Sequence, residues 1–294
     1  MAAPVLLNQV LEALRLSPSK FIIDGTLGAG GHARSIIERL ASGGIFLGLD
    51  WDETAVRSFE ESMKGPRVGS ARVILRNRNY VDLPEVLEEE KLGKADGLLL
   101  DLGFSVEQLG IGRGFSFNRD EPLMMTYNAK RPPTSEILKR LKQDELEKII
   151  RRFSDERYAG RIAALIYERE KQEPIMTSGE LARVIRQAVP RGYERGRIDP
   201  ATRTFMALRI YVNDEMENLE GLLKNLTQIV KSGGRVAVIS FHSLEDRLVK
   251  NHFREGAKRG ELVLINKKPI RATDEEIKEN PRSRSAKLRV AEII

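Results

Sequence analysis

A glycine-rich segment preceded by an acid lies near the start of the 294-residue chain, in the stretch FIIDGTLGAGGHARSII (21–37). Gly28, Gly30 and Ala33 fit the G-x-G-x-x-G/A spacing of loops that hold a dinucleotide diphosphate between a strand and a helix. Asp24 stands directly before this loop, and its carboxylate would repel a diphosphate. The segment therefore favours a ligand that approaches the glycine backbone closely but carries no phosphate.

Carboxylates end three of the apolar runs that predict strands: Asp24, Asp50 and Asp101. The carboxyl ends of parallel strands meet at one edge of a sheet, where such folds bind ligands, so we expect these acids to lie together. S-Adenosylmethionine has an ammonium and a sulfonium and no phosphate. Acids near Asp24 suit its methionine end, Asp50 suits the ribose hydroxyls, and Asp101 could accept from the adenine amine or a substrate amine.

A NAD-dependent oxidoreductase with the same loop is the competing interpretation. Asp24 and the absence of an evident hydride-relay pair argue against it, although any single strand-end acid could simply cap a helix. Three acids together favour methyl transfer over hydride transfer.

Seven short apolar runs supply the elements that must position these residues. Runs that are continuously apolar predict strands buried on both faces, hence a parallel sheet covered by helices. The expected fold is α/β, a doubly wound, seven-stranded Rossmann-like sheet of the class I methyltransferase type. The predicted strands are 21–24, 44–50, 71–77, 95–101, 233–241, 261–268 and 286–294.

A small all-helical domain is predicted at 116–209, inserted between the fourth and fifth strands, so that 1–115 and 210–294 form one discontinuous domain. Three amphipathic patterns support it: SEILKRLKQDELEKIIRRF, SDERYAGRIAALIYERE and TSGELARVIRQAV. The third opens at Thr177 with Glu180 at capping-box spacing. A longer helix is predicted from Asp199–Pro200 to Lys231.

Composition narrows the chemistry further. The chain has no cysteine, and its three histidines are far apart in sequence, so no metal site is expected. The net charge is +6, and residues 151–212 hold 13 basic and 8 acidic residues, or +5 of it. This segment fits contact with phosphate backbones or, equally, a solvated helical surface.

The N-terminal stretch MAAPVLLNQVLEALRL lacks the features of a signal peptide, and no apolar run approaches the roughly 18 residues of a membrane span. We therefore expect a cytoplasmic protein without a membrane partner.

Six blocks of the sequence together resemble the MraW/RsmH family, and the resemblance covers nearly the whole chain. The blocks are DGTLGAGGHA, DLGFSVEQL, GFSFNRDEPLMM, IDPATRTFMALRIYVNDEMENL, GGRVAVISFHSLEDRLVK and NPRSRSAKLRVAE. The resemblance implies an S-adenosylmethionine-dependent methyltransferase that modifies the exocyclic N4 of a cytosine in the decoding region of 16S ribosomal RNA, with S-adenosylhomocysteine as product. It also implies a helical insert for RNA recognition. Free ribosomal RNA and the 30S particle both remain open as substrate, and so do monomer and homodimer.

The resemblance also implies a set of cofactor-binding residues, in addition to Asp24 from the charge argument. They are Gly30, Gly31, His32, Asp50, Tyr80, Asp101 and Gln108. This chain departs from the family where Ser105-Val106-Glu107-Gln108 replaces the commoner Ser-Ser-Pro-Gln, and where Tyr80 replaces the commoner Phe.

The catalytic group stays unassigned at this stage. Asp101-Leu102-Gly103-Phe104 takes the place of the Asp-Pro-Pro-Tyr-type turn of many amino methyltransferases but lacks the prolines. Asp101 and His242 are the candidates; His242 could position or deprotonate the amine, or lie in a helix N-cap. Phe104, Phe115 and Phe117 could stack on an extruded base or pin a lid to the core. Another nucleic acid or a protein as methyl acceptor, and a non-catalytic ribosome-assembly binder, remain alternatives.

Overall fold

The computed structural model describes residues 4–64, 70–103, 112–196 and 198–294. The chain divides into two compact units, Met1–Phe104 with Met216–Ile294 and, between them in sequence, Ser105–Glu215. We call them the sheet unit and the helical unit. Their limits differ from the domain limits expected from the sequence, 115/116 and 209/210, which stay a prediction.

The described residues of the sheet unit form a seven-stranded sheet in the order β3-β2-β1-β4-β5-β7-β6. Strands β1 to β5 pair in parallel, and β7 runs antiparallel between β5 and β6. All seven predicted strands are confirmed: β1 Phe21–Asp24, β2 Ile45–Asp50, β3 Arg72–Asn77, β4 Ala95–Asp101, β5 Val230–Ser240, β6 Leu262–Leu264 and β7 Lys287–Ile293.

The topology explains where a ligand site can form. The strand order runs from β1 to β2 and β3 on one side and from β1 to β4 and β5 on the other. The order in which strands are added therefore switches sides between β1 and β4, which are themselves parallel. A crevice opens at such a switch point, outside the carboxyl ends of the strands. Asp24 and Asp101 are the last residues of these two strands.

Helices cover the two faces of the sheet because its central strands are buried on both sides, as in β1, where all four residues are buried. Two apolar clusters lie in this unit, one containing Ile23, Leu98 and Val238 and the other Ile22, Phe46 and Leu99. The helices are α1 Leu7–Ala13, α2 Gly31–Ile37, α3 Glu53–Ser62 and α4 Leu83–Glu89, then, later in the chain, α10 Glu215–Lys224 (which begins at the last residue of the helical unit), α11 Leu226–Ile229, α12 Ser243–Lys258 and α13 Asp274–Glu279.

The helical unit has its own core, which includes Leu146, Ile162, Ile185 and Leu208. Its helices are α5 Thr134–Arg140, α6 Gln143–Ser154, α7 Ala159–Gln172, α8 Ser178–Ala188 and α9 Ala201–Val212. The capping box predicted at Thr177 is present, with Glu180 N–H donating to Thr177 Oγ1 at 3.2 Å and Thr177 N–H to Glu180 Oε2 at 3.0 Å. The first predicted helical pattern is divided, because Leu141 and Lys142 are extended between α5 and α6.

The single helix predicted to run to Lys231 is wrong. It breaks into α9, α10 and α11, and β5 begins already at Val230. The first break follows from Asn213, which is fully buried: its Nδ2 donates to the carbonyls of Met125 (2.7 Å) and Arg209 (2.9 Å), and its Oδ1 accepts from Tyr127 N–H (2.9 Å). Asp214 next to it is left-handed, with φ 48°. A non-local contact thus overrides a continuous helical propensity.

Among the residues that the structure describes, we find no helix with both the length and the apolar character needed to cross a membrane.

Replacing Asn213 with Ala should destabilise the helical unit by about 2–4 kcal/mol, since the carbonyl of Met125 and the N–H of Tyr127 lose their partner, while the carbonyl of Arg209 still accepts from the N–H of residue 213. Asn128→Ala is the matched control, because its side chain makes one exposed bond, to Lys130 N–H, and should cost less than about 1 kcal/mol. Urea denaturation followed by circular dichroism measures both. Equal midpoints for the two variants would contradict this account of the helix break.

Candidate active site at the carboxyl edge of the sheet

Three strand-end acids meet at the carboxyl edge of the neighbouring strands β2, β1 and β4. Thr26 links two of them: Asp101 N–H donates to Thr26 Oγ1 at 2.6 Å, and Thr26 N–H donates to Asp24 Oδ1 at 3.1 Å. Asp24 is only 2% exposed. The expected convergence of Asp24, Asp50 and Asp101 is therefore present, with Thr26 as a connecting residue that the sequence reasoning missed.

Asp50 fixes the shape of the glycine loop. Its Oδ2 accepts from Gly28 N–H at 2.7 Å, and its Oδ1 accepts from Asp52 N–H at 2.8 Å. Asp52 in turn caps α3 by accepting from Thr54 N–H at 3.0 Å. Each carboxylate oxygen has a second lone pair, so these bonds leave Asp50 able to accept from ligand hydroxyls as well.

The loop requires glycine at position 30 for two separate reasons. Gly30 is the N-cap of α2 and has φ 78°, in the left-handed region. A Cβ atom there would also lie 2.0 Å from Cδ2 of Phe59. Gly25 is also closely packed, since a Cβ there would lie 2.7 Å from Cδ2 of Leu100 and 3.1 Å from Cβ of Tyr80. Tyr80 starts a short 3₁₀ helix, Tyr80–Asp82, directly after β3, and is half-buried.

His32 connects the N-terminal segment to the acids. Its ring is 6% exposed, and its Nε2 donates to the carbonyl of Val5 at 3.0 Å, so Nδ1 is the unprotonated nitrogen of the neutral ring. Nδ1 lies 3.6 Å from Asp101 Oδ2. Burial lowers the pKa of His32 and so favours this neutral form, while the charge of Asp24 acts in the opposite direction.

Burial also dominates the titration of the two acids. It raises the pKa of Asp24 to about 7, against the opposing effects of His32 and the Thr26 bond, and Asp101 and Asp50 raise it further. Burial likewise raises the pKa of Asp101 to about 7, with a backbone bond from Gly103 acting against it and Glu245 adding to it. Asp101 Oδ1 is buried without a hydrogen-bond partner. Both groups therefore exchange a proton near neutral pH, and Asp101 has an oxygen available to a ligand.

His242 is itself the N-cap of α12. Its Nδ1 accepts from Glu245 N–H at 3.4 Å, while Glu245 Oε2 accepts from Phe241 N–H at 2.8 Å. Its Nε2 lies 3.0 Å from Glu245 Oε1, but outside the direction of a hydrogen bond. The capping alternative is thus the one that the structure supports, and Glu245 is a buried acid of this edge that the sequence reasoning missed. Its sequence signal is the third position of the helix, where a capping-box carboxylate belongs.

The aromatic residues of the expected loop divide into two groups. Phe104 lies outside the described residues, as does Gln108. Phe115 stacks on Tyr127 with ring centroids 5.3 Å apart, and Phe117 meets Phe205 edge-on at 5.4 Å, all within the helical unit. Phe115 and Phe117 thus pack against the core of that unit, as in the second alternative.

Gly30→Ala should destabilise the sheet unit by at least about 2 kcal/mol, since left-handed strain of about 1–2 kcal/mol adds to the clash with Phe59. Gly43→Ala is the matched control. Gly43 has φ 95° with nothing within 4 Å of a built Cβ, so that variant bears the backbone strain alone. Thermal unfolding of both measures the difference, and equal melting temperatures would show that Phe59 simply moves aside.

Asp24→Asn should stabilise the protein, and more at pH 8 than at pH 5. Because the folded pKa is raised to about 7, the folded state holds a proton that the unfolded chain loses near pH 4, and stability falls as pH rises through this window. The neutral amide removes this loss, so its advantage should grow by on the order of 2 kcal/mol between pH 5 and pH 8. Denaturant unfolding at both values tests it.

Asp246→Asn is the control of opposite sign. Burial opposes ionisation of Asp246, but bonds from Arg289 and Lys287 hold its pKa below the usual range. This variant should therefore lose stability at both pH values. A gain at pH 8 in both variants, or in neither, would contradict the assignment of Asp24.

Comparison with known proteins adds the family. The model of the MraW methylase family matches residues 1–294. Ribosomal RNA small subunit methyltransferase H of Syntrophotalea carbinolica is 43% identical over 303 residues, which cover 97% of this chain and 95% of the relative. The protein of the same name from Acetivibrio thermocellus is 41% identical over 309 residues, covering 99% and 98%. The crystal structure of TrmN from Thermus thermophilus aligns with 98% of this chain and 48% of its own, at 11% identity and a TM-score of 0.47. From the first three matches, the chain belongs to the MraW methylase family, a family of S-adenosylmethionine-dependent methyltransferases.

Proposed function

We propose that this chain transfers a methyl group from S-adenosylmethionine to the exocyclic N4 of a cytosine in the decoding region of 16S ribosomal RNA and releases S-adenosylhomocysteine. The relatives named as small-subunit ribosomal RNA methyltransferases support the substrate class. The observation that carries the chemistry is the pair of strand-end acids beside a glycine loop, Asp24, which is buried, and Asp101, whose side chain is 24% exposed.

The residues at this edge fit the cofactor. Desolvation raises the pKa of both Asp24 and Asp101, so a cationic ligand would supply the counter-charge that they lack and a phosphate would add repulsion. The unpartnered Asp101 Oδ1 is a further acceptor.

Roles follow for the residues expected from the sequence. Asp24 faces the cationic methionine end, Asp50 binds the ribose hydroxyls, and Tyr80 packs on the adenine. Gly30, Gly31 and His32 act through the backbone at the start of α2, because the His32 ring is already bonded to Val5. Gln108 completes the proposed set from outside the described residues.

When bound, S-adenosylmethionine supplies a methyl group on a positively charged sulfur. In-line transfer to an amine depends on positioning more than on acid–base chemistry. Asp101 would orient the amine by accepting a hydrogen bond from its N–H, and in the ionised form would take the proton that N4 loses on methylation, or would bind the cofactor with the same oxygen. With its pKa near 7, Asp101 becomes the better acceptor as pH rises.

The helical unit is the proposed RNA-recognition part. Glu156, which is buried, connects two tyrosines of this unit: it accepts from Tyr158 N–H at 2.9 Å and from the hydroxyl of Tyr193. The guanidinium of Arg157 lies over the rings of Tyr158 and Tyr193, at 5.0 and 5.9 Å from their centroids. Aromatic rings and guanidinium planes are both surfaces on which unpaired RNA bases stack.

Calorimetric titration with S-adenosylmethionine, S-adenosylhomocysteine and NAD tests the cofactor, and transfer of labelled methyl to 16S RNA or to 30S particles tests the acceptor. Wild type should bind the first two ligands and not NAD, and Asp50→Ala should weaken binding at least tenfold. Asp96→Ala is the matched control, since Asp96 lies at the opposite end of β4 and bonds to Phe21 N–H and Lys231.

Binding of NAD alone would overturn the proposal. Cofactor binding without transfer to either RNA substrate would limit it to another methyl acceptor, and binding of RNA with no bound cofactor would favour a ribosome-assembly role.

A further inference from the structure

A basic cavity lies in the sheet unit between α12, β6 and β7. Its volume is about 450 Å³, within the range of sites for small ligands. We call it the α12–β6 groove. Its lining includes Lys250, Phe253, Arg254, Leu264, Lys267 and Arg289.

Four of these side chains are cationic, and no acid lines the groove. Arg289 is only 7% exposed, and its Nε donates to Asp246 Oδ1 at 2.7 Å. Asp246 also accepts from Lys287 Nζ at 3.1 Å. The carboxylate of Asp246 is therefore shared between two cations of β7, and the other three cations of the lining keep the groove positive.

Lys250 and Arg254 carry like charges on one face of α12. Several pairs with the same spacing on other helices have opposite charges, as in Glu53–Arg57, Asp144–Lys148 and Glu220–Lys224. Lys250 and Arg254 have the same spacing on α12 and the same sign, which costs a helix a few tenths of a kcal/mol.

Neighbouring acids do not compensate these cations. Asp246, four residues before Lys250, is bonded to β7, and Glu255, next to Arg254, accepts from Lys258 at 2.9 Å. Over residues 4–64, 70–103, 112–196 and 198–294 we see no ion pair for Lys250, Arg254 or Lys267. Such a concentration of unpaired cations is what a polyanion requires.

The floor of the groove is apolar, with the buried ring of Phe253 and the side chain of Leu264. Cations beside an apolar surface suit a nucleotide, because its phosphate is anionic and the face of its base is apolar. The groove also lies near the site: α12 begins at Ser243, just beyond β5, and Lys250 is seven residues along it, or about 10 Å at 1.5 Å per residue.

We propose that the α12–β6 groove binds a nucleotide of the RNA strand that flanks the target cytosine, with Lys250, Arg254, Lys267 and Arg289 on the phosphates. This inference rests on the proposed function, because it takes RNA to be the methyl acceptor. The groove adds affinity and register for the strand and has no part in binding the cofactor.

The test uses a triple variant, Lys250→Gln/Arg254→Gln/Lys267→Gln, which keeps Arg289 with Asp246. Its matched control is Arg57→Gln/Lys94→Gln/Lys224→Gln, which removes the same charge from other surfaces of the sheet unit. A 16S RNA fragment with the decoding region is titrated at several KCl concentrations. The groove variant should bind it at least tenfold more weakly, with a salt slope smaller by about 1 to 2, since about 0.7 ion is released per phosphate contact.

Two further readouts separate the groove from the active site. S-Adenosylhomocysteine should bind the groove variant as it binds wild type, and KM for RNA should rise while kcat stays the same. Lys267→Gln alone, in the segment after β6, should show a smaller effect in the same direction and guards against a folding defect.

A groove variant that matches its control in RNA affinity and salt slope, while wild type binds and methylates the fragment, would overturn this inference and leave the proposed function intact. Wild type that binds S-adenosylhomocysteine but neither binds nor methylates RNA would overturn both. If the groove variant loses the binding of ATP or inorganic phosphate that wild type shows, while its RNA affinity matches that of its control, the groove would be assigned to a free phosphate compound instead.

Discussion

The placement of two carboxyl groups at one switch point of the sheet is the constraint on which the site depends. Asp24 and Asp101 repel each other when both are ionised, and Asp24, only 2% exposed, lacks the water that would screen this repulsion. Such unfavourable electrostatic energy is typical of functional sites, where a bound ligand can offset it. Asp50, which accepts from Gly28 N–H in the glycine loop, and His32, which lies between Val5 and Asp101, tie the backbone around the acids.

Helix α12 begins near the strand-end acids and contacts strand β7. The start of α12 is closed by His242 and Glu245, next to the acids, through backbone bonds that leave little freedom there. Its middle turns are tied to β7 by Asp246, which bonds to Arg289 and Lys287. Any strand of RNA in the groove would therefore rest on a helix that is fixed at both places.

The sequence predicted the strands well because a strand buried on both faces has a simple signature, an apolar run ending at a polar residue. The meeting of Asp24, Asp50 and Asp101 followed from strand direction alone. Thr26 was missed because its role depends on a bond from Asp101, 75 positions away in the sequence. Glu245 was missed because its effect is on the pKa of Asp101, which is also remote in the sequence. The helix break at Asn213 was missed for the same reason, because Met125 and Tyr127, which fix it, are remote in sequence.

The position of β7 inside the sheet sets an order of assembly during translation. β6 pairs only with β7 in the described sheet, and β7 is made more than twenty residues later. The helical unit, contiguous in sequence, has been synthesised in full before β5 exists, and domains made early fold first. On the ribosome, the half-made sheet must therefore keep the apolar edge of β5 from pairing elsewhere until its antiparallel partner emerges.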